Sequence, residues 1–171
     1  DYAVHMTIDD CVEVVHSWEK NLFKRHDANI ACFVWDDGWD AYGTWGFNPG
    51  FPHGFAEVDS LAHGMNTGIG AWLGPVGGYG RSGEFRREYW SGKGGMQLSN
   101  PDYYDTFLGA CRHLIENNDF RYFKFDGISA QFSSVGPDPG AVGDENAEGI
   151  INIERQVRKL RPDIFLNTTV G

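Results

Sequence analysis

The sequence predicts an α/β fold of the (β/α)-barrel class, carried by about four helix–strand units. Three observations lead there. Stretches with apolar residues at helical spacing alternate with short compact apolar runs, an order that demands parallel strands joined by helical crossovers. Charged or polar residues close every run at its carboxyl end: Asp36 and Asp37, then Trp72 beside Gly74, then Asp126, then Asn167 to Thr169. Barrels of this class build their sites at that end. A long loop also follows each of the first three runs. Four units are half a barrel, and a whole one usually takes ~250 residues. The 171-residue chain is therefore expected to be a piece of a larger barrel. An open doubly wound sheet is the other architecture this order allows.

Thr7, with Asp10 in capping-box position, opens the first helix. Ile8, Cys11, Val12, Val15, Leu22 and Phe23 share its apolar face, and Lys24, Arg25 and His26 suit its carboxyl end. Asn29 to Trp35 reads as a buried parallel strand that runs into Asp36-Asp37-Gly38-Trp39-Asp40. Gly38 to Gly54 reads as a loop punctuated by Gly, Pro and Asn, with Trp39, Tyr42, Trp45, Phe47 and Phe51 along it. A short helix follows, with Phe55, Val58, Leu61, Ala62 and Met65 on one side. Thr67 to Leu73 is the second strand. Its Gly68 and Gly70 share a face with Trp72 and are expected to leave space in front of the indole.

Gly74 to Asn100 is glycine-rich with scattered charge and no phosphate-cradling spacing. It reads as a long functional or mobile loop, with the charges from Arg81 to Glu88 in solvent. Pro101 opens a helix whose Tyr104, Phe107, Leu108, Cys111, Leu114 and Ile115 form one stripe. Arg121 to Ser129 is the third strand, and Ile128 to Gly143 a further loop. A last helix from Asp144 carries Ala147, Ile150, Ile151, Val157 and Leu160 and stops before Pro162. Ile164 to Thr169 is the fourth strand.

With 14 basic and 24 acidic residues the formal net charge is −10. That sign argues against nucleic acid and against an anionic membrane surface as partners. Cys11, Cys32 and Cys111 form neither a CxxC pair nor a zinc spacing, and they read as buried free thiols. Aromatic residues make up 15% of the chain, and many fall in loop-like segments where burial does not account for them fully. Stacking on neutral sugar rings is a use that fits the acidity. Nothing calls for a cofactor.

The third strand carries the sharpest chemistry. Tyr122, Lys124 and Asp126 share one face, and Phe123 and Phe125 the other. Burying an ammonium and a carboxylate costs several kcal/mol per ion unless geometry compensates. From this segment alone, a structural ion pair and a working one are equally good readings. Two carboxylate stations on different strands, Asp36/Asp37 and Asp126, set amid Trp residues, point to glycoside chemistry. A retaining glycosidase needs an ionised nucleophile and a protonated acid ~5–5.5 Å apart, a distance that spacing in sequence cannot give.

A set of motifs follows in order. They are Asp36-Asp37-Gly38-Trp39, Gly43-Thr44-Trp45, Phe51-Pro52-His53-Gly54-Phe55, His63-Gly64-Met65, Gly70-Ala71-Trp72 before Pro75, and Phe123-Lys124-Phe125-Asp126. Across roughly Asn29 to Gly127 this resembles the α-galactosidases of the melibiase type, glycoside hydrolase family 36 and its relatives. The resemblance implies a (β/α)8 TIM barrel and a double-displacement retaining mechanism on α-galactosides or related α-linked sugars. It implies that Asp126 attacks the anomeric carbon, while Lys124 binds sugar hydroxyls and holds Asp126 ionised. Asp36 and Asp37 would accept hydrogen bonds from hydroxyls at the far edge of the ring, and Trp45 and Trp72 would wall the pocket. The general acid/base would lie on a later strand, so the remainder of the barrel is needed to complete the site, and the isolated piece is not expected to be active.

Three segments depart from the family pattern. They are Leu73-Gly74-Pro75-Val76 in place of an acidic run, Gly127-Ile128-Ser129 after the nucleophile, and Asn167-Thr168-Thr169 at the fourth strand end. They leave a non-catalytic sugar-binding barrel as one alternative. A metal-dependent carbohydrate esterase is another, since Asp-Asp-Gly also ends strands there. That chemistry needs a His pair at ligand spacing, and His53 and His63 flank a short helix instead, so no metal is expected.

Overall fold

The computed structural model describes residues 6–128 and 139–169. Helix α1 (Ile8–Trp18) starts on the expected capping box: Thr7 Oγ1 accepts the Asp10 N–H, and the Asp10 carboxylate accepts the Thr7 N–H at 3.0 Å. It runs through a π-helical turn (Glu19–Phe23) into α2 (Lys24–His26) and ends on Asp27 in the left-handed region. Strand β1 (Cys32–Trp35) follows, then an antiparallel ribbon of β2 (Asp40–Ala41) and β3 (Gly46–Phe47), then α3 (Ala56–Gly64) and β4 (Gly68–Leu73). Helices α4 (Gly80–Trp90) and α5 (Pro101–Asn117) precede β5 (Phe120–Phe125), and α6 (Pro139–Leu160) precedes β6 (Phe165–Thr168).

The α/β class expected from the sequence is the class that forms. Strands β1, β4, β5 and β6 make one parallel sheet and lie in it in chain order. A doubly wound sheet reverses direction at a switch point; these four strands contain no reversal. Register sets Trp72 beside Lys124, and Lys124 beside Asn167. On one face Ile69, Ala71, Leu73, Phe123 and Phe125 are buried under the helices, with Phe107 of α5 5.8 Å from Phe125. On the other face Tyr122 and Lys124 are half-buried, and Val34 and Phe165 are 37% and 60% exposed. The division of β5 into a Phe face and a Lys/Asp face is the one its alternation predicts.

Several expectations change. The segment 74–100 is not loop throughout, because α4 lies within it. Ser82, Gly83, Arg86 and Trp90 recur at helical spacing and form the buried face of α4, so the Arg81 to Glu88 charges are not all in solvent: Arg86 is 0% exposed. Three of the five loop aromatics are core, and Tyr42 and Phe47 are half-buried. Trp39, Trp45, Phe51 and Phe55 are all buried, packed ring against ring where the β2–β3 ribbon folds back on α3 and β4. No open space stands at the strand glycines. The Arg121 side chain lies where a Cβ at Gly68 would go, and Tyr122 where one at Gly70 would go. The expected loop from Ile128 to Gly143 lies mostly outside the described residues, and its last residues belong to α6, which begins before Asp144. All three cysteines are free; Cys11 and Cys111 are buried and Cys32 is half-buried. Burial pushes the thiols of Cys11 and Cys32 up to about 12. No described helix is long and apolar enough to cross a membrane.

Candidate active site

Asp126 is the residue after β5. Its N–H bonds the carbonyl of Leu73 at 3.0 Å, which extends the ladder one step and fixes the backbone beneath the carboxylate. Oδ2 accepts the indole N–H of Trp72 at 3.0 Å and has the Lys124 ammonium at 3.9 Å. Oδ1 accepts the Thr169 hydroxyl at 2.6 Å, the Gly127 N–H at 2.8 Å and the Tyr79 hydroxyl at 3.5 Å. Gly127 sits at φ 76, a conformation that L side chains rarely adopt. That turn brings its N–H back onto the carboxylate it follows. Burial raises the Asp126 carboxyl, but the bonds from Thr169, Trp72 and Gly127 and the Lys124 charge outweigh it and hold the group below the usual carboxylate value. Asp126 is thus an ionised, oriented carboxylate, 7% exposed.

Lys124 joins the two carboxylate stations. Its Nζ donates to Asp36 Oδ2 at 3.1 Å while standing 3.9 Å from Asp126. Burial lowers the ammonium, yet the Asp36 hydrogen bond and the charges of Asp36 and Asp126 raise it overall, so it stays protonated. The Asp36 side chain is 66% exposed, and its Oδ1 accepts the Asp37 N–H at 2.8 Å. The result is a row of carboxylate, ammonium and carboxylate across the carboxyl ends of β1 and β5, open on the Asp36 side. It can bind several hydroxyls of a sugar ring while presenting a fixed carboxylate to one of its carbons.

Asp37 turns the other way, into the molecule. Both its oxygens accept from the guanidinium of Arg86, and Oδ2 also lies 3.4 Å from the Ser82 hydroxyl. Arg86 further donates to Asp40 Oδ2 at 2.9 Å, to Asp40 Oδ1 at 2.5 Å and to the Gly77 carbonyl at 2.9 Å. Burial would lower this guanidinium, but its two carboxylates raise it further. Its carbon lies 5.0 Å from the Trp45 ring centre, 5.1 Å from Trp72 and 5.2 Å from Tyr42. Trp72, 1% exposed, therefore offers its face to Arg86 and its edge to Asp126.

Four of the residues singled out in the sequence converge here: Asp36, Lys124, Asp126 and Trp72. Asp37 is adjacent but committed to Arg86. Neither Trp45 nor Trp72 walls a pocket: Trp72 is 1% exposed and reaches the site through its indole N–H, while Trp45, 2% exposed, packs against Trp39, Trp72 and Phe107 and gives its indole N–H to the Tyr103 hydroxyl at 3.2 Å. A large apolar ring between the ribbon and α5 gains more from burial than from a place at the rim. Sequence reasoning missed Arg86, Asp40, Tyr79 and Thr169. The spacing Ser82, Arg86, Trp90 was a legible signal hidden by the surrounding glycines, and Thr169 was visible as a polar strand end. Tyr79 gave no signal. Among the described residues no three His, Cys, Asp or Glu side chains are placed to hold a metal ion, and His53 and His63 are exposed near the two ends of α3.

No family model matches the sequence, and no curated protein matches it either. Solved structures do match its fold. The galactosidase domain of the α-galactosidase–sucrose kinase AgaSK superposes with a TM-score of 0.71 at 16% identity, over 97% of this chain and 25% of that one. The GH36 α-galactosidase AgaB from Geobacillus stearothermophilus gives 0.69 at 17% identity, over 99% of this chain and 26% of that one. A GH31 α-xylosidase from a soil metagenome, complexed with xylose, gives 0.59 at 14% identity, over 96% and 28%. The chain spans about a quarter of the length of the structures it matches. Its fold is that of a segment of these glycoside hydrolases, two of them α-galactosidases, as the order of its motifs led one to expect.

Proposed function

We propose that this chain is part of the (β/α)8 catalytic barrel of a retaining glycoside hydrolase acting on α-galactosides or related α-linked sugars. The observation that carries the reading is the Asp126 carboxylate, held ionised and joined through Lys124 to Asp36. In this reading a carboxylate oxygen of Asp126 forms a bond to the anomeric carbon as the bond to the leaving oxygen breaks. An acid from the remainder of the barrel protonates that oxygen, and water then releases the sugar from Asp126. Lys124 and Asp36 bind ring hydroxyls, and Lys124 keeps the attacking group charged.

Asp126→Ala in the full-length protein is expected to cut hydrolysis of 4-nitrophenyl α-galactoside by at least ~10³-fold, with azide restoring turnover and yielding a β-galactosyl azide. Unchanged hydrolysis in the variant eliminates the assignment. Running 4-nitrophenyl α-xyloside beside the galactoside tells the two substrate classes apart. A second reading is favoured by one feature: both oxygens of Asp126 are already engaged by donors, which blunts a nucleophile. Sugar binding by calorimetry with no turnover of any aryl glycoside selects that non-catalytic sugar-binding barrel.

A further inference from the structure

The Arg86 side chain is fully buried, as is that of its partner Asp40, and nothing in the proposed chemistry uses it. Every N–H of its guanidinium has an acceptor, on Asp37, Asp40 or Gly77. Arg86 and Asp40 form an ion pair with both side chains fully buried, and apolar residues of like volume often stabilise such a position as well or better. Stability alone is therefore a weak reason for the triad. Its geometry offers a stronger one. One side of the guanidinium grips Asp37, the inner member of the first carboxylate station. Its flat surface lies 5.1 Å from the ring centre of Trp72, whose N–H is given to Asp126 at 3.0 Å.

We propose that Arg86 is the positioning residue of the site, fixing Asp37 directly and Asp126 through the indole of Trp72. The carboxyl ends of β1 and β5 then behave as one rigid unit, although their backbones are separated by β4. Loss of the grip frees Asp37 to rotate and lets the Trp72 ring swing, so both stations loosen together. The enzymatic part of this inference rests on the proposed function; the structural part does not.

The test is Arg86→Lys, which keeps the charge and loses the planar fork. The first readout needs no substrate: solvent exchange of indole N–H protons, followed by NMR. Trp72 donates to Asp126, and Trp90, on the same helix as Arg86, donates to the Gly43 carbonyl at 2.6 Å. The expected result is exchange at Trp72 faster by about tenfold, the worth of one hydrogen bond to a charged group, with Trp90 unchanged. Faster exchange at both indoles reports a loosened helix and overturns the proposal, as does a folded variant with no change at Trp72. If Arg86→Lys does not fold, Asp40→Asn relaxes the same guanidinium and must give the same Trp72-selective gain.

The second readout is kinetic. In Arg86→Lys kcat for 4-nitrophenyl α-galactoside is expected to fall about tenfold, the worth of the Trp72 bond that holds Asp126, while KM, set by Asp36 and Lys124, stays as in the parent. A rise in KM with kcat unchanged overturns the link from Arg86 to Asp126. If the parent protein neither binds nor hydrolyses any aryl glycoside, the proposed function falls, and indole exchange still decides the role of Arg86.

Discussion

Asp126 shows how one side chain can be desolvated and still stay charged. Burial alone would push its carboxyl up, and the donors from Thr169, Trp72 and Gly127 reverse the sign. A carboxylate whose folded pKa is depressed contributes stability above its unfolded value, and that contribution disappears as pH falls through the folded value. Thr169→Val deletes the 2.6 Å bond while keeping the volume. It should cost about 1.5 kcal/mol at pH 7, with the difference from the parent shrinking in acid below the usual carboxylate value; urea unfolding at the two pH values measures it. Under the proposed function the acid limb of kcat/KM should move to higher pH in the same variant, because Asp126 then protonates more readily. A difference that does not depend on pH would assign Thr169 a packing role only.

At the scale of elements, the segment between β4 and α4 closes over the Trp72 indole. Gly78 lies at φ 74, and a Cβ there would come within 2.5 Å of the Trp72 ring. Gly78→Ala should therefore displace that ring, weaken both its stacking on Arg86 and its bond to Asp126, and cost about 2 kcal/mol of stability from backbone strain and overpacking. The change is visible as a shift of the Trp72 indole resonance and a lower unfolding midpoint. An unshifted resonance would show that the ring has room to spare. Helix α4 itself was legible only in part. Its glycines and charges read as loop, since Gly weakens helix propensity, whereas packing of Ser82, Arg86 and Trp90 against the ribbon and β4 supplies the stability that propensity lacks. Helix α5 needed no such help: Pro101 at its first turn and an unbroken apolar stripe specified it locally.

Across the whole molecule the sheet is graded from centre to edge. Every residue of β4 is buried and β5 is paired on both sides, whereas β1 and β6 each have a partner on one side among the described strands. Amide exchange should accordingly be slowest at Ile69, Ala71, Phe123 and Phe125 and faster along β1 and β6; equal protection across the four strands would show that something further covers those edges. Strand order, the two faces of β5, the Thr7 capping box and the meeting of Asp36, Lys124 and Asp126 at one end of the sheet were determined by the sequence itself. Each follows from a short-range period or from the rule that parallel strands joined by helices bring their carboxyl ends together. Only the tertiary structure decided that Asp37 faces inward to Arg86, that Trp45 is core, and that Thr169 and Tyr79 reach Asp126. Those contacts join residues some 40 to 50 positions apart, and no local period encodes which of several polar side chains a buried guanidinium or carboxylate will take as its partner.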